Sequence, residues 1–346
     1  MLCKSTGCFP NMQYLCAKSF DMNTIGLGNA LVDVLLQLKD EDILTRIGVK
    51  RGAMDMISEE QMIAIQSSSL DLERTLTPGG SVCNTMRALA SLGANSGYIG
   101  KIGQDKNAGY YEKALQTAGV KPNFIRTEGV SGCCTVLISP DGERTMCTFL
   151  GPAPTITSSE ISEDLLSAYD CIYIEGYLLV NEELVRGTMQ KAKKLGLKVA
   201  LDLSNFNIVN GFKALLEEII PEYVNILFSN ESEAEAFTGL KAEDAARKLS
   251  GIVDISLVTM GKNGAFIASK GEVIHVLAEG GRPKDTTGAG DNFAAGFLYG
   301  QTVGATLAQS AQIGSMLAGY VIDVIGPQIP EEKWEQIKLK VKDILN

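Results

Sequence analysis

The chain has 346 residues, 45% of them apolar and 21% charged, a balance that fits a globular protein and excludes a disordered, collagenous or coiled-coil chain. Its 31 Lys and Arg stand against 41 Asp and Glu, a formal net charge of −10. Nucleic acid and anionic membrane are therefore excluded as partners by long-range repulsion, and any phosphate site must be local.

In chain order, residues 1–21 are an appendage: polar residues interrupt every apolar run, so no signal-peptide core is present. The folded unit is expected over 22–346. It opens on NTIGLGNALVDVLLQL, an extended pair of strands broken at Gly26 and Gly28. Residues 40–58 and 121–150 carry short alternating runs and a turn at Asp141-Gly142, which predict hairpins of a small β-rich flap. The remainder alternates apolar runs (96–103, 171–179, 198–204, 226–230, 255–261) with helix-period segments (81–92, 106–118, 181–195, 211–220, 231–238, 241–251). Such alternation predicts βαβ units, an α/β fold with a mainly parallel sheet, and ligands beyond the carboxyl ends of the strands. The uncharged stretch 292–322 is too rich in Gly, Asn, Gln, Ser and Thr to span a bilayer and reads as two buried helices.

Two residue types narrow the chemistry. The one histidine, His275, lies in an alternating strand-like run and excludes two-histidine metal motifs. The eight cysteines include no CxxC pair and read as reduced core thiols of a cytoplasmic protein rather than a disulfide frame. No GxxxxGK[ST] occurs, and Leu31 stands where a dinucleotide fingerprint starting at Gly26 would need its third glycine.

The strongest motif is Asp285-Thr286-Thr287-Gly288-Ala289-Gly290-Asp291, followed by a small-residue helix. Glycines let the backbone approach a ligand, and a helix start presents unpaired N–H groups to an anion. Asp291 so placed is either a general base towards a hydroxyl or the cap of an ordinary turn. Asp33, a charge inside an apolar run, needs either a ligand or an internal donor.

DTTGAGD together with GGSVCNTMRALASLG (79–93), GYIGKIGQDKNAGYYEKALQTAGV (97–120), Asn230-x-x-Glu233 and Thr259-x-Gly261-x-x-Gly264 resembles the ribokinase, or phosphofructokinase-B, family of carbohydrate and nucleoside kinases over 22–330. The resemblance implies a three-layer αβα fold with a lid and a Mg²⁺-ATP-dependent phosphotransferase. It makes Asp291 the base, Gly288, Ala289 and Gly290 the anion hole, and Arg144 the cation steadying the transferring phosphoryl. Asp33, Asn29, Gly79, Gly80 and Asn84 would bind the acceptor. Asn230, Thr259, Gly261, Gly264 and Thr287 would bind ATP, with Asn230 and Glu233 positioning Mg²⁺ through water. Asp285, with 324–326, lies beside the family's monovalent-cation site, where K⁺ would sit.

GNALVD, TPGGSVCNT, DGERTMCTFLG and Leu203-Ser204-Asn205-Phe206 resemble the adenosine-kinase branch. The resemblance implies a nucleoside acceptor, adenosine, with a sugar such as ribose, fructose or 2-keto-3-deoxygluconate as the alternative. A non-catalytic nucleoside-binding regulator is the alternative of another class. Met54, Met56, Met146 and an aromatic either cover a purine or line the core of the flap. Monomer and homodimer stand equally open.

Overall fold

A computed structural model describes residues 22–346; the appendage 1–21, with Cys3, Cys8 and Cys16, lies outside the described residues. Fourteen strands follow in chain order. They are β1 (Thr24–Leu27), β2 (Leu31–Gln37), β3 (Met54–Met56), β4 (Arg74–Gly79), β5 (Ser96–Ile102), β6 (Val120–Arg126) and β7 (Gly132–Ile138), then β8 (Arg144–Phe149), β9 (Cys171–Glu175), β10 (Lys198–Asp202), β11 (Ile226–Asn230), β12 (Ile255–Thr259), β13 (Ala265–Ser269) and β14 (Glu272–Val276). Nine form one sheet in the order β14-β13-β12-β11-β10-β9-β1-β5-β6, parallel except for the β12-β13-β14 edge.

The central strands are buried on both sides, which is why CIYIE and TIGL read as continuous apolar runs rather than alternating ones. One face packs against the helices Ser81–Ser91, Ala289–Thr302 and Leu307–Val321, the other against Glu182–Leu195, Lys213–Tyr223, Glu231–Thr238 and Ala242–Leu249. The two expected buried helices occupy 289–302 and 307–321 and close on each other through Gly296 and Gly314, where a Cβ at Gly296 would stand 2.7 Å from the Gly314 backbone.

Strand order reverses at β1: the chain builds outward through β5 and β6 on one side, then returns to β9 on the other. A crevice opens at the carboxyl ends of strands at such a reversal. Over it lies a second sheet, ordered β3-β8-β7-β2-β4. Alternation along β2 turns Val32, Val34 and Leu36 towards the helices Asp42–Ile47 and Glu59–Ser68, and Asp33, Leu35 and Gln37 towards the crevice.

Three expectations change. The flap segment expected from 121 begins later, because β6 pairs with β5 as the edge of the main sheet. Residues 40–58 are mostly helix and turn, with one three-residue strand. The run 171–179 breaks at Gly176, which is packed against the Asp202 and Leu203 backbone and starts a 3₁₀ turn. His275 is structural: its Nε2 pairs with the Asn263 carbonyl at 2.8 Å and its ring lies on Phe266. Among the described residues five cysteines are free and buried, and no helix is long and apolar enough to cross a membrane.

Candidate active site

The helix Ala289–Thr302 starts beneath the lid because Gly288 adopts φ 77° at its N-cap, a conformation glycine reaches without strain. A Cβ there would also stand 2.6 Å from Pro327. The Gly288, Gly290 and Asp291 N–H groups have no acceptor among the described residues, whereas the Ala289 N–H donates to the Thr286 carbonyl at 3.2 Å. The amides left free for an anion at this helix start are therefore those of Gly288, Gly290 and Asp291, where the sequence suggested that of Ala289. A Cβ at Gly290 would meet nothing within 4 Å, so this glycine borders open space and not a packed neighbour.

Asp291 is held from the facing helix Ser81–Ser91. Ser81 Oγ donates to one carboxylate oxygen at 2.7 Å and Asn84 Nδ2 to the other at 2.8 Å. Burial pushes its pKa up to about 7 against the pull of these two donors, and the Asp202 charge adds to the rise. The carboxylate does not cap its own helix, which removes the turn-cap reading. The Asn84 amide oxygen is buried and unpartnered, an acceptor left over for a hydroxyl.

Asp33 faces a cavity of about 530 Å³ beneath the lid, with Leu35, Cys134, Val136, Arg144 and Met146, and lies near enough to Asp291 to feel its charge. No donor among the described residues reaches its carboxylate, so the internal-donor reading finds no partner. Burial raises its pKa to about 7; Arg144 opposes the rise and Asp291 adds to it. Two glycines make room below. A Cβ at Gly79 would overlap the Asp33 carboxylate, and one at Gly80, whose φ is 93°, would stand 2.6 Å from the Asn29 carbonyl.

Arg144, on β8, crosses from lid to main domain. Its Nη2 pairs with Asp285 at 2.7 Å and its Nη1 donates to Thr287 Oγ1 at 3.1 Å. Asp285 also accepts from Thr287 N and Oγ1 and from Gly326 N at 2.7 Å. Burial raises its pKa, but these donors and the guanidinium outweigh it and hold the carboxyl below its usual range. With both oxygens already taken, one of them by a cation, Asp285 does not fit a bound K⁺ while Arg144 is docked.

Asn230 and Thr259 stand opposite each other at the carboxyl ends of β11 and β12. Asn230 and Glu233 form a reciprocal capping box: Asn230 N and Nδ2 donate to the two Glu233 oxygens at 2.8 and 2.6 Å, and Asn230 Oδ1 accepts from Glu233 N. Burial and the nearby Asp202 push the Glu233 carboxyl up. Two buried carboxyls that resist ionisation together suit a hydrated divalent cation held through its waters, and the occupied Asn230 amide does not suit direct ligation. Gly261 (φ 53°) and Gly264 (φ 87°) shape the loop after β12; a Cβ at Gly264 would overlap the Val276 carbonyl.

Some expected residues lie elsewhere. Asn29 is buried, and its N–H and Nδ2 donate to Glu175 at 2.9 and 2.6 Å; it braces the crossover from β1 and does not line the cavity. Met54 and Met56 are 64% exposed on the lid edge and Phe206 is 46% exposed, so Met146 alone of the group lines the cavity. Sequence reasoning missed Ser81, Glu175 and Asp202. Their signals were a serine after Gly79-Gly80 and carboxylates ending the apolar runs of β9 and β10.

Residues 52–334 match the description "pfkB family carbohydrate kinase". An adenosine kinase of Saccharomyces cerevisiae is 31% identical, across 89% of this chain and 96% of its own. One from Schizophyllum commune is 28% identical, across 90% and 97%. The solved structure of adenosine kinase from Sinorhizobium meliloti superposes with a TM-score of 0.81 at 27% identity, covering 93% of this chain and 99% of that one. The chain belongs to the pfkB family of carbohydrate kinases and is a phosphotransferase acting on hydroxyl groups.

Proposed function

We propose that the protein transfers the γ-phosphoryl of ATP to the 5′-hydroxyl of a nucleoside, adenosine, giving AMP and ADP. The observation that carries this reading is the proximity of an unpartnered carboxylate, Asp33, which lines the cavity beneath the lid, to a second carboxylate with raised pKa, Asp291, whose charge acts on it, and to the free backbone amides at the start of the Asp291 helix. Likeness to adenosine kinases over nearly the whole chain supports the acceptor.

In this reading Asp33 accepts hydrogen bonds from the ribose hydroxyls, which replaces the water its buried carboxylate has lost. The Asn84 amide oxygen accepts a further hydroxyl. Asp291 takes the 5′-hydroxyl proton as the oxygen attacks phosphorus, a role suited to a carboxylate whose pKa lies near the working pH. The Gly288, Gly290 and Asp291 amides and Arg144 hold the charge that gathers on the transferring phosphoryl. ATP would lie along the ends of β11 and β12 beside Asn230, Thr259, Gly261 and Gly264. Glu233 and Asp202 would hold the waters of a Mg²⁺ ion, which would supply positive charge against the nucleotide phosphates. The lid excludes bulk water from the cavity.

The test is ADP release with Mg²⁺-ATP against adenosine, inosine, guanosine, cytidine, ribose, fructose and 2-keto-3-deoxygluconate. Selective turnover of adenosine is expected. Turnover of a free sugar alone would overturn the acceptor while keeping the transfer chemistry, and silence on every acceptor would overturn both.

A further inference from the structure

A second cavity of about 500 Å³ lies beyond the edge strand β4, between the helices Ser81–Ser91 and Lys106–Thr117 and the chain after Pro327. Gln328 separates it from the cavity beneath the lid: its Nε2 donates to the Pro78 carbonyl at 3.0 Å, so the two spaces share a wall. Asp33, Arg144 and Thr287 do not line it, whereas Asn84 stands at its boundary with the cleft. Its walls mix apolar and polar side chains, and two aromatics stand among them: Tyr110, fixed by a 2.6 Å hydrogen bond to the Leu76 carbonyl, and Trp334, the chain's one tryptophan.

Arg87 projects into this space one turn beyond Asn84 on the same helix. Its Nε and Nη1 atoms are buried and have no hydrogen-bond partner among the described residues. No carboxylate of the described residues pairs with it; Glu331, the one carboxylate in the lining, is not within ion-pair distance. Lys113 adds a second positive charge from the facing helix, also without an ion pair among the described residues. A buried guanidinium edge with no acceptor is costly. In a chain of net charge −10, two convergent unpaired cations also stand out against the general field. Nη2 also has no partner among the described residues and is the guanidinium nitrogen that is not fully buried; with Nε on the same side it forms the edge of two parallel donors that matches two oxygens of a carboxylate or a phosphate.

We propose that this cavity is a second ligand site, which binds the oxyanion group of a small molecule, a phosphate or a carboxylate, on the Arg87 fork with Lys113 beside it and Tyr110 and Trp334 against the ligand's body. The cavity adjoins the phosphoryl-transfer cleft through Asn84, Thr77, Pro327 and Gln328, but its anion subsite at Arg87 and Lys113 uses none of the residues assigned to phosphoryl transfer and does not depend on the acceptor assigned there.

Trp334 makes the site self-reporting. Its fluorescence is to be titrated with inorganic phosphate, and in parallel with acetate, at constant ionic strength, on the full chain. A saturable change is expected. In Arg87→Met it should require at least about tenfold more anion, the loss that removing a charge-assisted bidentate pair produces. Lys113 is exposed, so Lys113→Gln should fold as the parent does and weaken binding several-fold even if Arg87→Met is unstable. A stronger response to phosphate than to acetate identifies a phosphoryl ligand, and the reverse a carboxylate. The proposal is overturned if neither anion gives a saturable change, or if the curve is unaltered in Lys113→Gln and in a folded Arg87→Met. The latter result would mean that the signal arises at the intact amides around Gly290.

Discussion

At the scale of single residues, the candidate site sets two carboxylates against burial. Asp291 and Asp33 both have pKa values raised to about 7, chiefly by desolvation, and both must be ionised to accept hydrogen bonds from a hydroxyl substrate. Turnover should therefore rise with pH through about 7, with an acid limb steeper than one proton where the two carboxyls act together; a flat profile from pH 5 to 8 would contradict the assignment. The sign for stability is opposite. Between the ordinary carboxylate pKa near 4 and the folded value near 7 the unfolded chain has lost a proton that the folded chain keeps, so rising pH costs stability across that window. Asp291→Asn should accordingly melt higher than the parent at pH 8 and close to it at pH 4. The glycines divide by the same logic of local surroundings. Gly288→Ala meets a positive φ and Pro327 and should lower stability by about 1 kcal/mol or more. Gly290→Ala meets no protein atom within 4 Å, so it should leave the melting temperature unchanged while lowering kcat.

Between elements, one ion pair and its neighbours tie strand β8 of the lid to the main domain. Arg144 on β8 reaches Asp285 and Thr287 beside the helix start, with both partners of the pair mostly buried. Arg144→Met should lower kcat by about two orders of magnitude, the scale set by removing one transition-state donor, and should expose the lid strands to faster amide exchange. Loss of kcat without faster exchange would leave Arg144 a chemical role but no part in closure. The lid was only partly legible in the sequence. Its hairpin β7-β8 was signalled by Asp141-Gly142, but β2 and β4 join it over a separation that no local pattern reveals. The segment 121–126 alternates like a lid strand although its partner is β5. The Met54 and Met56 pattern was equally uninformative, since an edge strand exposes both residues whatever their chemistry.

For the molecule as a whole, the order of apolar runs was enough to predict a parallel sheet flanked by helices, because strands buried on both faces leave that mark in composition. It could not show the reversal at β1, which is a fact of topology and decides where the crevice opens. The candidate site was legible where backbone geometry forces residue type, at Gly79-Gly80 and Gly288-Ala289-Gly290, and illegible where a side chain acts on another across the fold. Ser81 and Asn84 bonding Asp291 over about 210 residues is one case, and Glu175 bracing Asn29 is another. Arg87 is a third, an unremarkable helix arginine until its surroundings are known.

The most direct test of the central claim, that this cleft phosphorylates a nucleoside hydroxyl with Asp291 as base, is AMP and ADP formation from adenosine and Mg²⁺-ATP by the parent and by Asp291→Asn. The account predicts equimolar products from the parent, a loss of about two to four orders of magnitude in kcat for the variant, and retained ATP binding. Adenosine-dependent turnover at the parent rate in Asp291→Asn would contradict it.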